Sequence, residues 1–258
     1  MIAAQLYTIR GKLQDPRRLG GVLGRLREIG YRAVEVAGLG RKTIDIFGAE
    51  LKKADLIACA AHQPLESVAR EPAAVAEQCR EWGCGYVVIP SLPDDYRSAA
   101  GFRRFAGEAA GLARGLQPHG LQLAYHNHAF ELQRWEGQTG LETLFAATTA
   151  ETLQAEPDTY WLQYGGANPA AWVRRLRGRV PLLHLKDMAV DRGQPVQVEV
   201  GEGNLDWVEI LGAAREAGTE WLIVEQDESQ RDPMESLAIS YRNLVKLCAQ
   251  AGLENKDA

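Results

Sequence analysis

Ile29-Gly30-Tyr31-Arg32-Ala33-Val34 is a stretch in which an amphipathic helix stops and a strand begins. In the preceding segment, Asp15–Ile29, apolar side chains recur at helical spacing, and Gly30 is a typical residue for a helix end. The same arrangement returns at Ala217-Gly218-Thr219-Glu220-Trp221, after the amphipathic segment Asp206–Ala217. A helix followed closely by a strand, repeated along one chain, predicts consecutive βα units.

Eight short β-branched or apolar runs recur roughly 25–40 residues apart, the spacing expected of a (β/α)8 barrel. They are Ile2–Ile9, Ala33–Ala37, Leu56–His62, Tyr86–Pro90, Leu121–His128, Thr152–Asp158, Val180–Lys186 and Trp221–Gln226. An open doubly wound sheet is disfavoured, because the first βα turn lacks the glycine-rich dinucleotide fingerprint. We therefore predict an α/β fold: a single TIM barrel domain over residues 1–258, with a last helix near Pro233–Ala251 and a polar tail at 254–258.

Composition and charge narrow the class of protein. The chain has 258 residues, 46% of them hydrophobic, and a net charge of -5. It has no Lys/Arg-rich run, which argues against a nucleic-acid partner, and no basic leader or long apolar stretch, which argues against secretion or a membrane span. The four cysteines form no CxxC pair and are expected to be free thiols in a reducing compartment, so a cytoplasmic location is expected.

Polar residues cluster where the predicted strands end, which is the active-site end of such barrels. The strand-end residues are Gln5, Tyr7, Glu35, His62, His126, His128, Glu131, Asp158, His184, Lys186 and Glu225. Four of the five histidines belong to this group. Imidazoles and carboxylates that converge are costly to bury unless a cation or a substrate satisfies them, and together they are ligands typical of Mn²⁺, Zn²⁺ or Co²⁺. The pattern predicts a divalent metal centre.

At these residues the chain resembles the xylose isomerase-like TIM barrel superfamily, in particular its sugar phosphate isomerase/epimerase and inosose dehydratase-like members. The similarity covers nearly the whole chain. The most specific stretches are Tyr125–Glu131 (YHNHAFE), Asp158–Trp161 (DTYW), Pro181–Met188 (PLLHLKDM), Val200–Asp206 (VGEGNLD) and Val224–Asp227 (VEQD).

The resemblance implies a divalent ion, with Mn, Zn, Co or Mg as candidates, held by a Glu, an Asp, a His and a Glu from strands five to eight. Asp158, His184 and Glu225 match the last three positions. Strand five departs from the pattern, so that either His126 is the fourth ligand or Glu131 reaches back to the ion. In the ketose 3-epimerases of this superfamily, metal-bound Glu residues on strands five and eight are the two bases. With His126 at the strand-five position, that two-Glu scheme is not expected here.

The implied activity is proton removal next to the carbonyl of a keto-sugar, sugar phosphate or inosose, leading to isomerisation, epimerisation or dehydration. His128 or Glu131 would take the proton, and Lys186 would stabilise an oxyanion or contact a hydroxyl or phosphate, unless it only pairs with Asp187. Glu35 and His62, facing the mouth from the opposite side, would protonate a leaving hydroxyl.

Three further residues complete the expected site. Tyr7 and Trp161 would form an apolar wall against the sugar. Glu202, in a glycine-flanked turn, is expected to contact substrate or to support His184, unless its side chain is merely solvated.

Two other functions remain open at this stage. An apurinic endonuclease shares the superfamily's barrel but needs a three-zinc cluster and a basic surface, which the charge of -5 disfavours. A non-catalytic sugar-binding barrel would keep the pocket and lack the metal. The expected partner is a small sugar-like molecule, with no nucleic acid and no membrane; a homo-oligomer is left open.

Overall fold

The computed structural model describes residues 1–253, so the polar tail expected at 254–258 lies outside the described residues. Eight parallel strands form the main sheet. In chain order they are β1 (Ile2–Gln5), β2 (Ala33–Val36), β3 (Ile57–His62), β4 (Tyr86–Ile89), β5 (Gln122–His126), β6 (Gln154–Glu156), β7 (Leu182–Leu185) and β8 (Trp221–Val224). Strands β1 to β6 follow one another in the sheet, and β8 and β7 continue beyond β1. The predicted TIM barrel is confirmed.

The barrel closes between β6 and β7 through a short contact rather than a long ladder. A parallel bridge joins Asp158 to His184, and the His184 amide donates to the carbonyl of Pro157 at 2.9 Å. The Thr159 hydroxyl lies 3.1 Å from the carbonyl oxygen of His184 and 2.9 Å from that of Lys186. The seam therefore fixes Asp158, His184 and Lys186 relative to one another.

Helices cover the outside of the barrel. They are α1 (Pro16–Ile29), α2 (Ile44–Lys53), α3 (Leu65–Arg70), α4 (Pro72–Trp82), α5 (Ala99–Leu116), α6 (Gly140–Ala146), α7 (Thr159–Tyr164), α8 (Pro169–Arg175), α9 (Trp207–Ala217) and α10 (Pro233–Gln250). The helix α1 shows how sequence sets its limits. The Asp15 side chain caps the Arg17 amide, Pro16 occupies the first turn, and Gly30 ends the helix with φ 129°. The apolar stripe that predicted this helix is buried against the strands.

Alternate residues of each strand point into the barrel, and this period of two creates its layers. Small and apolar side chains fill the lower interior, including Ala3, Ala33, Ala60, Ala124, Leu182 and Ile223. The next inward position on each of these strands is polar: Gln5, Glu35, His62, His126, His184 and Glu225, respectively. Strand pairing places Gln5 beside Glu35 and His126 beside Glu156. The polar residues therefore form a layer of their own at the carboxyl ends of the strands.

Two antiparallel hairpins lie outside the main sheet. One pairs Asp187–Asp191 with Gln194–Val198 and follows β7; the other pairs Arg134–Trp135 with Gln138–Thr139. Within residues 1–253, no helix combines the length and apolar character that a membrane crossing requires.

Candidate active site

Four side chains from four strand ends meet at the mouth of the barrel: His126, Asp158, His184 and Glu225. One ligand atom from each lies within 4.8 Å of all the others. Each of the four is almost completely buried. These are the four residues that the sequence predicted as a metal set. Their role as ligands stays a prediction, while their convergence is a property of the fold.

Asp158 is held so that its two carboxylate oxygens serve different purposes. It is the N-cap of α7, and its Oδ1 accepts from the Trp161 amide at 2.9 Å. Its amide donates to the side-chain oxygen of Asn127 at 3.2 Å, which ties it to the end of β5. The other oxygen, Oδ2, is buried and without a hydrogen-bond partner; it lies 3.1 Å from the Lys186 ammonium. One oxygen caps a helix, and the other faces the cluster.

His184 lies at the centre of the cluster, with a carboxylate on each side of its ring. Its Nε2 is 2.6 Å from Glu35 Oε2, and its Nδ1 is 2.8 Å from Glu225 Oε2. Burial opposes protonation of this ring, but the carboxylates of Glu156, Glu35 and Glu225 outweigh burial and raise the pKa of His184. Burial, followed by the neighbouring imidazole of His184, lowers the pKa of His126, so that this second ring is neutral.

Lys186 contacts three carboxylates. Its Nζ is 2.8 Å from Glu225, 2.8 Å from Asp227 and 3.1 Å from Asp158. The alternative pairing with Asp187 is not found. Asp187 instead accepts hydrogen bonds from the amides of Gly201, Gly203 and Leu205 and from the Trp207 indole. Burial favours neutral lysine, but Asp158, Glu225 and Asp227 raise the pKa of Lys186, which is therefore a fixed cation.

Glu156, the last residue of β6, belongs to this layer although the sequence reasoning did not select it. Its Oε2 is 3.0 Å from His62 Nε2, 3.3 Å from His184 Nε2 and 3.4 Å from His126 Nδ1. A signal was present in the sequence, because Glu156 precedes Asp158 by two residues and so points to the same side of a strand. Several other residues of the run Thr152–Asp158 are also polar, which obscures this signal.

Three sequence predictions need correction from the geometry. Glu35 does not face the mouth: it is fully buried beneath His184 and accepts from the Gln5 amide at 2.6 Å. Glu131 does not reach the cluster, because it accepts from the Tyr125 hydroxyl at 2.6 Å and the His128 amide at 3.0 Å. Glu202 does not support His184; it is exposed and pairs with Arg231 at 3.0 Å. Between the two candidates for the strand-five position, only His126 joins the group.

A cavity of about 450 Å³ opens above the cluster, and His62, His126, His128 and Glu225 line it together with Tyr7. Tyr7 is 38% exposed and lies under the Arg10 guanidinium. The Trp161 ring lies beside the cluster, 5.3 Å from the His128 ring and 5.8 Å from Lys186 Nζ. Tyr7 lines the cavity and Trp161 lies next to it; the apolar wall that the two would form against a sugar stays a prediction.

Two of the histidines that line the cavity, His62 and His128, differ in their partners. Burial opposes protonation of His62, but Glu35 and Glu156 outweigh burial and raise the pKa of His62 to about 10. Burial, followed by the Lys186 charge, lowers the pKa of His128 to about 4. Within residues 1–253, no carboxylate lies within ion-pair distance of the His128 ring. Near neutral pH the His62 ring therefore carries a proton, and the His128 ring is neutral.

Two features of this site fit a bound divalent cation. Five carboxylates meet at this site: Asp158, Glu225 and Asp227 contact the Lys186 ammonium, and Glu35 and Glu156 contact the imidazoles of His62 and His184. Several buried polar atoms have no hydrogen-bond partner, including Asp158 Oδ2, His126 Nδ1, Glu156 Oε1 and Glu35 Oε1. The carboxylates outnumber the cationic side chains even when Lys186, His62 and His184 are all protonated, and an excess of negative charge and unsatisfied ligand atoms are both unfavourable without a further cation.

Comparisons with known proteins agree with this architecture. An inosose dehydratase of Geobacillus kaustophilus is 25% identical over 87% of this chain and 84% of its own length. A sugar phosphate isomerase/epimerase structure from Parabacteroides distasonis superposes with a TM-score of 0.79 at 22% identity, over 97% of this chain and 93% of that one. A probable 3-DHS dehydratase from Bacillus anthracis superposes with a TM-score of 0.72 at 13% identity, over 95% and 98%.

The family model of the xylose isomerase-like TIM barrel matches residues 23–245, which include seven of the eight barrel strands and every member of the four-residue cluster. The chain belongs to the xylose isomerase-like TIM barrel family.

Proposed function

We propose that this chain is a divalent-metal-dependent enzyme that removes a proton next to the carbonyl group of a keto-sugar or inosose and expels a hydroxyl as water. The observation that carries the proposal is the convergence of His126, Asp158, His184 and Glu225 beneath an open cavity. The relatives that are dehydratases and sugar isomerases support a sugar-modifying reaction.

The four converging residues would hold the ion, and neutral His126 already has the protonation state that a ligand needs. When bound, a divalent ion supplies Lewis acidity that polarises a carbonyl oxygen and stabilises negative charge developing next to it. Mn²⁺, Zn²⁺ and Co²⁺ suit the mixture of imidazole and carboxylate best, and Mg²⁺ remains a candidate.

His128 is the proposed base. It lines the cavity at the end of β5, and its ring lacks a carboxylate partner among residues 1–253, so a ring nitrogen is free to accept the proton from carbon. The electron pair of the broken carbon–hydrogen bond becomes part of a carbon–carbon double bond. Lys186 holds Glu225 and Asp227 in place and keeps a positive charge near the oxygen that becomes negative.

His62 is the proposed acid. Its Nε2 contacts Glu156 at 3.0 Å and Glu35 at 3.4 Å, so the ring carries a proton, and it lines the same cavity. The hydroxyl on the next carbon leaves with its bonding pair and takes this proton, which gives water. Epimerisation would also use one proton acceptor and one proton donor, on opposite faces of a single carbon, so this pair of histidines is compatible with both reactions. The similarity to an inosose dehydratase favours dehydration.

Two measurements test the proposal. The first is elemental analysis of protein purified without chelator, with about one equivalent of a first-row divalent metal expected. The second is reaction of the metal-loaded protein in D₂O with inososes, 3-keto-sugars and ketoses. Deuterium incorporation next to the carbonyl, together with absorbance from an enone product, is expected for at least one compound. Exchange without an enone would indicate an epimerase.

Two outcomes would assign another function. Failure to bind metal, with no exchange into any compound, would leave a non-catalytic sugar-binding barrel. Tight, metal-dependent binding of abasic DNA in a gel shift would favour the endonuclease alternative.

A further inference from the structure

A second cavity adjoins the one above the cluster. Its volume is about 560 Å³, and it lies between helix α7, the hairpin strand Gln194–Val198 and the loop after β8. Asp227 lines both cavities. Trp161 also connects them, because its ring is 5.3 Å from His128 on one side and 5.6 Å from the Tyr164 ring on the other. The two cavities are therefore neighbours that share Asp227.

One wall of the second cavity is aromatic. The rings of Tyr160, Trp161 and Tyr164 contact one another with centroids 5.0 to 5.8 Å apart. Tyr164 is 51% exposed, which is unusual for a large aromatic residue that packs against two others. An exposed aromatic surface of this kind suits the C–H face of a sugar ring, which is apolar and flat.

The opposite wall is polar. Gln194, Gln197 and Gln230 line it, together with Asp227 and Glu228. Amides and carboxylates are the groups that recognise several hydroxyls at once. Two hydrogen bonds join Gln197 to Asp227: the Gln197 side-chain amide donates to Asp227 Oδ2 at 2.8 Å, and the Asp227 backbone amide donates to Gln197 Oε1 at 2.7 Å. These bonds fix part of this wall before a ligand binds.

The charge of the second cavity disfavours an anionic ligand. Within residues 1–253, neither lining includes a lysine or an arginine, and the second has two carboxylates and no histidine. A phosphate group placed in the second cavity would meet like charge and would find no cationic lining residue to pair with it. This argues against a substrate that carries a phosphate in the second cavity.

We propose that the substrate is a neutral glycoside with two sugar rings, the reacting ring above the four-residue cluster and the second ring on Tyr164 in the adjoining cavity. This inference rests on the proposed function for the identity of the first ring. Apart from Asp227, which contacts Lys186, the side chains of the second-ring subsite take no part in the proposed chemistry.

Titration calorimetry of the metal-loaded protein tests the subsite without turnover. The probes are cellobiose, lactose and maltose, with glucose and glucose 6-phosphate for comparison. At least one disaccharide is expected to bind about fivefold to tenfold more tightly than glucose, the gain that one ring-stacking contact supplies. Tyr164→Ala should remove this advantage and leave glucose binding unchanged, while the matched variant Tyr164→Phe should keep it.

Gln194→Ala provides a second test from the opposite wall, since this exposed side chain has no role in packing; it should also weaken the disaccharide selectively. The proposal is overturned if no disaccharide exceeds glucose, if Tyr164→Ala weakens both sugars equally, or if glucose 6-phosphate binds most tightly. If the protein exchanges deuterium but binds no disaccharide more tightly than glucose, the subsite alone is rejected. If it binds a disaccharide more tightly than glucose but holds no metal and exchanges no deuterium, the proposed function alone is rejected.

Discussion

Glu35 lies beneath His184, with its Oε2 2.6 Å from the ring Nε2, while the opposite nitrogen of the same ring faces Glu225 at 2.8 Å. A carboxylate in this position fixes the orientation of a histidine ligand and increases its basicity. Gln5 in turn holds Glu35 at 2.6 Å, so the arrangement extends across β7, β2 and β1. Glu35 is therefore a positioning residue.

Glu35→Gln should weaken metal binding about 10- to 100-fold, because the neutral amide no longer increases the basicity of His184. Competition with a metal-sensitive dye measures this affinity. Glu202→Gln is the matched control, since Glu202 is exposed and pairs only with Arg231. Equal affinities for the wild type and Glu35→Gln would show that Glu35 does not act through the metal site.

Metal removal should destabilise the protein. At a metal concentration about 100 times the dissociation constant, binding contributes about 2.7 kcal/mol, which corresponds to a rise in Tm of about 5–10 °C for a chain of this size. Asp158→Asn should abolish the rise, since it removes the charge of Oδ2 while an asparagine still caps α7. Thermal scans with and without chelator measure both effects. A full metal-dependent rise in Asp158→Asn would exclude Asp158 as a ligand.

The barrel and most of its polar layer could be predicted because both follow from a period of two. Ala33 and Glu35 point inward as successive alternate residues, as do Ala124 and His126. The sequence therefore places a polar side chain one step above a small one at several strand ends. Glu156 was missed because β6 is only three residues long and its neighbours are also polar, which hides the alternation.

Loop positions could not be predicted for a different reason. Glu131 and Glu202 lie in loops several residues beyond the ends of their strands. The strand alternation no longer applies there, so their positions in the sequence do not predict which way their side chains point. Glu131 turns toward Tyr125, and Glu202 lies in a turn organised by the buried carboxylate of Asp187. The sequence also does not show how deeply a side chain is buried. Glu35 is on the expected strand, but it is fully buried against His184 and does not line the mouth.

Stability should depend on pH through Glu131. Burial raises the pKa of this carboxyl from 4.5 to about 7, against opposing hydrogen bonds from Tyr125 and the His128 amide. Between these values the folded state keeps a proton that the unfolded state releases, so this group makes stability fall as pH rises. Glu131→Gln has no such titrating group, so its stability should not fall with pH for this reason. Between pH 4.5 and pH 8, its free energy of unfolding relative to that of the wild type should therefore rise by up to about 3 kcal/mol.

Urea unfolding at a series of pH values measures this difference. A constant offset between the wild type and Glu131→Gln across the range would contradict it. Glu202→Gln again serves as the control, because it makes the same change of side chain at an exposed position.

Substitutions of His62 and of His128 should affect different steps of the reaction. His128→Gln should lower deuterium exchange about 10²- to 10⁴-fold, because the proton acceptor is lost, with metal binding retained. His62→Gln should leave exchange measurable and slow the loss of water, because only the proton donor is lost. Mass spectrometry of substrate and product follows both steps. Equal loss of exchange and dehydration in both variants would argue against separate roles.

Asp187 should matter for stability rather than for chemistry. Its buried carboxylate accepts from the Gly201 and Gly203 amides and from the Trp207 indole, and so joins the end of β7 to α9. Asp187→Asn places an amide donor against these donors, which should cost about 3 kcal/mol or more. Gly203→Ala should act in the same direction, because an added Cβ would overlap the Asp187 carboxylate. Urea unfolding at neutral pH measures both variants.

Glu202→Gln is the control, because Glu202 is in the same turn but exposed; its free energy of unfolding should stay within about 0.5 kcal/mol of that of the wild type. A loss of stability in this control as large as that of Asp187→Asn would mean that the whole turn, and not the buried carboxylate, determines stability.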